Sequence, residues 1–503
     1  MGVIARQSIK GAIANYLGVA IGFFVSFFVL TKYLTQEEIG LTRVMVDAAM
    51  LFSSLAALGT GSSIVKFFPW FKDNHGNHGI FGLSLLLPLA GFTLFALAFL
   101  IFREPLLAVY SKNAPLLADY FYLLPMLTFF ALYMGVFETN ASVLLRITVP
   151  KLVREVGIRL FNLVAYLLYG FDLISIDTFV WMFCGSYGLA MLLNIFYLFS
   201  LGHISLRIDR HFLTPDRLKE IGRYTLYMTA VALAGNIPLF NSLFLGAKAG
   251  LALTGVYTIA SYIANVVEVP YRSLGAISRP VIATAVKENN WGEVNRLARQ
   301  VSLHQFLVSM LIFYVIWINV DPLFAVIPNG KDYVGGVGVV FILGMAKIIN
   351  SSLSVGSDIL NFSRYYSRGL PLIAVLTLTA IIFNNLFIET MGINGAAYAT
   401  LCSYLLYFTL LHSYLWWRLK VNIFSMGQLK TVVIIAILLG LNWAWSQWLT
   451  PAMNLNIIVG AILKTAVLGS IAAAAVILWS VSPTVNQILL KFKKKVVILH
   501  PLC

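Results

Sequence analysis

Charged and polar side chains recur at helical spacing inside long apolar stretches of this sequence. The clearest set is spaced by four, three and four residues: Lys347, Ser351, Ser354 and Asp358. At 100° per residue these positions share a narrow stripe of one helix. A charge inside a bilayer costs about 2.5–3.5 kcal/mol on insertion scales, so it usually faces protein or water. The stripe therefore predicts either a polar cavity or a buried polar seam, and we favour the cavity.

Two other apolar stretches carry charges at the same helical spacing. Glu268 and Arg272 are four residues apart, and so are Arg43 and Asp47. On a helix each acid–base pair can form an ion pair across one turn. Such a pair serves a substrate, or it only locks helices together, and the sequence leaves both alternatives open.

Amide side chains mark two further positions. Asn15 lies on the small-residue side of the first apolar stretch, while Asn236 and Asn241 lie on either side of Pro238. Because proline removes a backbone donor, it weakens a helix within a membrane. Interrupted helices of this kind often form transporter sites or hinges. These amides are therefore candidate substrate contacts.

The elements that carry these residues are about 14 apolar stretches, each long enough to cross a hydrocarbon core of about 30 Å. The predicted spans are 11–34, 41–65, 79–102, 118–145, 156–174, 178–202, 224–246, 253–276, 301–320, 336–360, 369–389, 392–417, 431–449 and 457–481. Most Lys and Arg residues, Arg279 among them, fall in every second gap, which places both termini on the cytoplasmic side. The sequence predicts an all-α polytopic membrane protein.

Composition and motifs exclude other classes of protein. The chain is 60% hydrophobic and 11% charged, so its net charge of +15 is loop charge rather than a nucleic-acid surface. No phosphate-binding glycine loop is present, which argues against direct ATP drive. His75 and His78 have only Asp73 nearby and predict no metal site. Short outer loops argue against an enzyme such as a glycan polymerase or transferase, and no catalytic residue or cofactor is predicted.

Several segments in order along the chain resemble the polysaccharide flippases of the multidrug/oligosaccharidyl-lipid/polysaccharide exporter superfamily. They are NYLGVAIGFFVSFFVLTKYLTQEEIGLTRV, LGTGSSIVKFFP, LTGVYTIASYIANVVEVPYRSLGAISRPVIATAV and GINGAAYATLCSYLL. The resemblance implies two six-helix lobes around a central cavity, 1–213 and 214–420, with two extra spans and a basic tail in 421–503. It also implies a bacterial inner membrane and alternating access that flips an undecaprenyl-diphosphate-linked glycan, with membrane lipids and polysaccharide assembly enzymes as partners.

In this family cationic residues of the cavity would bind the diphosphate, which makes Arg43, Lys347 and Arg272 the candidates. Asn15, Asn236, Asn241 and Ser351 complete the expected substrate contacts. Many relatives carry an acid where this sequence has Asn241, so Asp47, Glu268 and Asp358 are the expected sites for coupling to H⁺ or Na⁺. The alternative functions are a cation-coupled multidrug extruder of the same superfamily and, with less support, a membrane-embedded glycan polymerase or transferase.

Overall fold

The computed structural model describes residues 17–71, 77–202, 206, 212–234, 237–453 and 455–482, and within these ranges it contains helices and no strand. Two of the candidate residues, Asn15 and Asn236, lie outside the described residues, as does the side chain of Arg272. Their expected roles stay predictions.

The helices follow one another along the chain from α1 to α21. In the first part of the chain they are α1 Leu17–Tyr33, α2 Gln36–Ala56, α3 Thr60–Phe71, α4 Ile80–Ser111, α5 Pro115–Tyr120, α6 Leu124–Val143, α7 Thr148–Leu152, α8 Ile158–Gly170, α9 Ile176–Ser200, α10 Pro215–Ala234 and α11 Ile237–Lys248. They continue with α12 Leu251–Asn265, α13 Val269–Lys287, α14 Trp291–Ile318, α15 Val320–Val326, α16 Val337–Leu353, α17 Val355–Phe362, α18 Gly369–Leu419, α19 Met426–Ala444, α20 Thr450–Met453 and α21 Ile457–Leu478.

Ten described helical stretches are long and apolar enough to cross a membrane. They are Gln36–Ala56, Asn77–Ser111, Pro115–Val143, Ile176–Ser200, Leu251–Tyr271, Trp291–Ile318, Gly330–Phe362, Tyr366–Leu419, Met426–Leu449 and Ile457–Leu478. Apolar side chains point outward on them, as at Leu100 and Ile101, which are 70% and 72% exposed. This surface suits lipid rather than water. The protein is therefore an all-α, multi-pass membrane protein, as predicted.

The structure corrects the course of one predicted span, 41–65. The stretch 41–65 is divided between α2 and α3, because Leu58 and Gly59 adopt left-handed φ angles of 46° and 65°. The predicted boundary between the spans 369–389 and 392–417 is confirmed, because the helical path of α18 is broken at Gly392, where φ is 56° and ψ is −131°. The stretch 336–360 lies within one span-length helical stretch, Gly330–Phe362, as predicted, and at Ser354 the Oγ donates to the carbonyl of Asn350. A serine that bonds to its own helix in this way commonly bends it.

The described chain forms two compact units that are interleaved along the sequence. The first contains Met1–Ile259, Ile327–Asp332 and Thr377–Thr400, and the second contains Ala260–Val326, Tyr333–Leu376 and Leu401–Cys503. The division into 1–213, 214–420 and 421–503 that the family resemblance implies stays a prediction.

A capping box fixes the start of α2, the helix that carries Arg43 and Asp47. The Thr35 Oγ1 accepts from the Glu38 backbone N–H at 3.3 Å, and the Glu38 Oε2 accepts from the Thr35 N–H at 2.8 Å. The second Glu38 oxygen accepts from the Tyr169 hydroxyl at 2.5 Å. A Thr-x-x-Glu sequence before an apolar stretch favours this arrangement. The contact with Tyr169 then ties the start of α2 to α8.

Two glycines bring α2 and α12 into close contact inside the first unit. A Cβ atom on Gly40 would lie 2.0 Å from the Leu251 carbonyl oxygen, and a Cβ on Gly255 would lie 2.0 Å from the Gln36 carbonyl oxygen. The contact is reciprocal, because each helix offers its glycine to the first residue of the other. Small residues are the usual means of such close approach in membranes.

Candidate functional site

The first polar cluster begins with an ion pair within α2. The Arg43 Nε donates to the Asp47 Oδ2 at 2.6 Å, and the Ser242 hydroxyl of α11 donates to the same oxygen at 2.5 Å. The Asp47 side chain is only 4% exposed, whereas that of Arg43 is 24% exposed. The predicted pairing is present, and Ser242 is a partner that spacing along one helix does not reveal.

Asn241, next to Ser242, is the centre of a neutral hydrogen-bond network that joins three helices. Its Nδ2 donates to the Tyr257 hydroxyl at 2.6 Å and to the Thr400 hydroxyl at 2.7 Å. Its Oδ1 accepts from the Asn384 Nδ2 at 3.0 Å. All four side chains are buried. Asn241 thus fills the position of the expected acid with a neutral amide, and its role as a substrate contact stays a prediction.

Replacement of Asn241 by alanine removes three hydrogen bonds between helices. Such bonds contribute about 0.6 kcal/mol each on average in membrane proteins. We expect Asn241→Ala to lower the free energy of unfolding by about 1–2 kcal/mol, measured by denaturation in detergent. Ser54→Ala is the control, because the one described hydrogen bond of the Ser54 hydroxyl is to Met50 of its own helix. Equal stability of the two variants would show that the network contributes little.

The second polar cluster lies in the second unit and contains a buried ion pair between different helices. The Lys347 Nζ of α16 lies 3.1 Å from the Glu268 Oε2, and the Asn350 Nδ2 donates to the Glu268 Oε1 at 2.7 Å. The side chains of Lys347 and Glu268 are 10% and 12% exposed. The described ion-pair partner of Glu268 is therefore Lys347, on a helix distant in sequence. The four-residue spacing between Glu268 and Arg272 did not suggest this contact.

A second ion pair in this cluster joins α13 and α17. The Arg279 Nε lies 3.1 Å from the Asp358 Oδ2, and the Arg279 Nη2 donates to the Tyr271 hydroxyl at 2.9 Å. The sequence alone assigns Arg279 to a cytoplasmic segment. The structure places Arg279 in α13, where its guanidinium contacts the carboxylate of Asp358 in the predicted span 336–360. The spacing of eight residues, about two helical turns, is the sequence signal for the contact between Tyr271 and Arg279.

The predicted stripe of α16 and α17 is only partly a shared surface. Lys347 and Asp358 bind different partners, Glu268 and Arg279. Ser351 is completely buried, and its Oγ has no hydrogen-bond partner among the described residues. The described stripe is a buried polar seam at Lys347 and is more open at Asp358, whose side chain is 19% exposed.

Lys464, the isolated lysine of α21, has a different kind of partner. Its Nζ donates to the carbonyl of Ile318 at the end of α14. This contact joins two helices through a backbone carbonyl rather than a carboxylate. Lys464 therefore packs α21 against α14.

Outside the spans, an aromatic side chain lies among cationic ones between α17 and α18. The guanidinium carbons of Arg364 and Arg418 lie 4.9 Å and 5.3 Å from the centre of the Tyr365 ring. Partial desolvation raises the pKa of the Tyr365 phenol, but the two guanidiniums outweigh it and hold that pKa below its ordinary value. The cluster is cationic and lies at span ends, next to the end of α17 and at the end of α18, on the side predicted to be cytoplasmic.

Each of the three predicted coupling carboxylates thus has a cationic partner: Arg43 for Asp47, Lys347 for Glu268 and Arg279 for Asp358. The pairs are neutral as units, which lowers the cost of holding them in a bilayer. Chemically, each pair offers a cation for an anionic ligand and a carboxylate for a proton or metal cation.

The described helices and the ion pairs within and between them define a multi-pass membrane protein with buried charges. The profile of the polysaccharide biosynthesis protein family matches residues 8–286, more than half of the chain. The chain belongs to this family. No curated protein sequence matches it.

Solved structures share the fold at low sequence identity. A lipid II flippase, MurJ, in an inward closed conformation has a TM-score of 0.69 and 13% identity, over 92% of this chain and 98% of its own. An inward-facing multidrug resistance transporter of the MATE family has a TM-score of 0.56 and 17% identity, over 84% and 99%. A transporter of the same superfamily from Pyrococcus furiosus has a TM-score of 0.53 and 16% identity, over 84% and 96%.

Proposed function

We propose that the protein flips an undecaprenyl-diphosphate-linked oligosaccharide from the cytoplasmic to the outer leaflet of a bacterial inner membrane, with both termini in the cytoplasm. The match to the polysaccharide biosynthesis family carries this proposal. The fold supports it, since the lipid II flippase covers 92% of the chain and the multidrug transporter covers 84%. The larger coverage by the lipid II flippase is expected if the last two spans, 431–449 and 457–481, have counterparts in that flippase.

The charged pairs supply a chemical route for this substrate. A diphosphate carries negative charge that would have to leave water, and Arg or Lys can replace water through charge-assisted hydrogen bonds. Arg43 and Lys347 remain the proposed ligands, with Arg272 as a third. Arg279 joins them because its guanidinium already binds a carboxylate within the second cluster.

Binding of the diphosphate requires each cation to exchange its carboxylate for a phosphate oxygen. The released carboxylates, Asp47, Glu268 and Asp358, would then be uncompensated in a medium of low dielectric constant. Uptake of H⁺ or Na⁺ would neutralise them and would bias the inward–outward equilibrium of the transporter. In this scheme the ion pairs hold the helices together in the substrate-free state. In the substrate-bound state the pairs are broken, and the cations bind the diphosphate.

The alternative is a cation-coupled multidrug extruder. The fold shared with the multidrug transporter favours it, and the same carboxylates would then bind cationic drugs. Because each cation is matched by a carboxylate, the charge of the two clusters does not separate the alternatives.

The test measures the leaflet position of lipid-linked glycan with an impermeant probe after depletion of the protein. We expect undecaprenyl-diphosphate glycan to accumulate on the inner face, and re-expression of the parent to clear it. Arg43→Ala and Lys347→Ala, at the abundance of the parent, should clear it at least tenfold more slowly, because each loses a charged ligand.

Lys464→Ala is the matched control, since this intramembrane lysine donates to a backbone carbonyl and forms no ion pair within 4.0 Å among the described residues. It should clear the glycan as the parent does. An unchanged glycan pool together with new sensitivity to cationic drugs would assign the protein to the extruder class. Full activity of both Ala variants would refute the diphosphate role of these residues.

A further inference from the structure

A cavity of about 440 Å³ lies outside both polar clusters, at the beginning of α14 and α19 in the second unit. Four of its polar residues, Arg296, Arg299, Gln300 and His304, follow one another at spacings of three, one and four and therefore lie on one face of α14. Its polar side chains are Asn295, Arg296, Arg299, Gln300, His304, Ser425 and Ser482. We call it the α14–α19 cavity. Its volume is in the range of small-molecule sites.

The charge of the cavity comes from Arg299. Arg296 is neutralised, because its Nη2 and Nε lie 2.6 Å and 2.8 Å from the two Glu293 oxygens. Arg299 has no carboxylate within ion-pair distance among the described residues. Arg299 is exposed, and its Nε donates to the Asn422 carbonyl at 3.0 Å. The positive charge of Arg299 therefore remains for an anion, and its two Nη groups can donate hydrogen bonds to that anion.

Uncharged donors add to this charge. α14 begins at Trp291 and α19 at Met426, and the adjacent residues Gly292 and Ser425 line the cavity. Helix N-termini carry partial positive charge and backbone N–H groups that suit phosphate. The Ser425 side chain belongs to the capping box of α19, and its buried hydroxyl donates to no described residue. A cationic fork, two helix N-termini and a hydroxyl donor together match a phosphate oxyanion.

The surroundings of the cavity indicate a lipid. Phe424 and Met426, on either side of Ser425, are 59% and 71% exposed. Exposed apolar side chains next to a cationic cavity suit acyl chains beside a head group. An anionic cytoplasmic leaflet supplies such lipids on the side where this end of α14 is predicted to lie.

We propose that the α14–α19 cavity binds the phosphate group of a membrane phospholipid, separately from the transported substrate. Anionic phosphatidylglycerol fits, because it brings one negative charge to Arg299, which has no described carboxylate as a partner. Phosphatidylcholine carries its own compensating cation and binds more weakly. Inorganic phosphate offers the same oxyanion without acyl chains, and the experiment separates these two sources.

The experiment uses the full-length protein in detergent micelles, with phosphatidylglycerol, phosphatidylcholine of the same acyl chains, or inorganic phosphate as the probe. Native mass spectrometry measures the bound lipid, and thermal unfolding measures the protection. We expect the parent to prefer phosphatidylglycerol, and Arg299→Gln to weaken that binding about tenfold through loss of a charge-assisted contact. Ser425→Ala should weaken it severalfold with no change of charge, which keeps the test usable if Arg299→Gln folds poorly.

Arg223→Gln is the matched control, because it removes an exposed arginine that does not line the cavity. It should bind phosphatidylglycerol as the parent does. Equal binding of the two lipids, or unchanged affinity in both cavity variants, would overturn the proposal. Protection by inorganic phosphate alone, lost in Arg299→Gln, would assign the cavity to a soluble anion and overturn the lipid assignment.

Discussion

Lys347→Met is expected to destabilise the protein by about 3–5 kcal/mol, the usual cost of removing one member of a buried ion pair. The change leaves the Glu268 carboxylate in the bilayer with Asn350 as its remaining described partner. A double variant, Glu268→Gln with Lys347→Met, should recover most of this loss, because no charge stays uncompensated. Thermal unfolding in detergent of the parent, both single variants and the double variant measures the coupling.

The same four proteins distinguish the two roles left open for the pair. If the pair only locks helices, the double variant regains both stability and transport. If Lys347 binds the substrate, the double variant regains stability and still fails to transport. Lys464→Met is the control for loss of an intramembrane lysine, with an expected cost near 1 kcal/mol for one hydrogen bond. Additive losses in the double variant would mean that Glu268 and Lys347 are not coupled.

Gly40→Ala and Gly255→Ala form the second large prediction. A Cβ atom at either position would lie 2.0 Å from a backbone oxygen of the other helix, so α2 and α12 must separate. We expect each variant to lose about 1–3 kcal/mol, the usual cost of overpacking. The double variant should lose less than the sum, because the separation that admits one methyl group also admits the other. Unfolding in detergent measures all three.

Gly135→Ala in α6 is the matched control, since no atom lies within 4 Å of a Cβ built there. This variant should be as stable as the parent or slightly more stable, because alanine favours helices by about 1 kcal/mol relative to glycine. Equal stability of Gly40→Ala and Gly135→Ala would mean that the helices do not meet closely at Gly40.

Local sequence predicted the membrane class of the protein and the position of most spans. The length of an apolar stretch and the charge of the gaps around it are local properties, and the bilayer acts on each directly. Breaks within spans were harder to predict. The interruption at Leu58 depends on backbone angles that hydropathy does not encode, whereas the break at Gly392 falls at the boundary predicted between 389 and 392.

The residues of the candidate site were predicted in part. Arg43 and Asp47 pair as expected, because their contact lies within one helical turn. Arg279 was missed, since an arginine near a span end has the same local pattern whether it faces the cytoplasm or a buried acid. Asn384 and Thr400 were missed because amides and hydroxyls are common in membrane helices and carry little signal alone.

The sequence by itself determined that charges lie within spans and which side chains carry them, because hydrophobicity and helical spacing are properties of neighbouring residues. Only the tertiary structure decided their partners: Lys347 with Glu268, Arg279 with Asp358, and Asn241 with a network from three helices. These contacts join residues 16 to 159 positions apart. Helix packing sets which of them meet, and it depends on the whole shape of both surfaces.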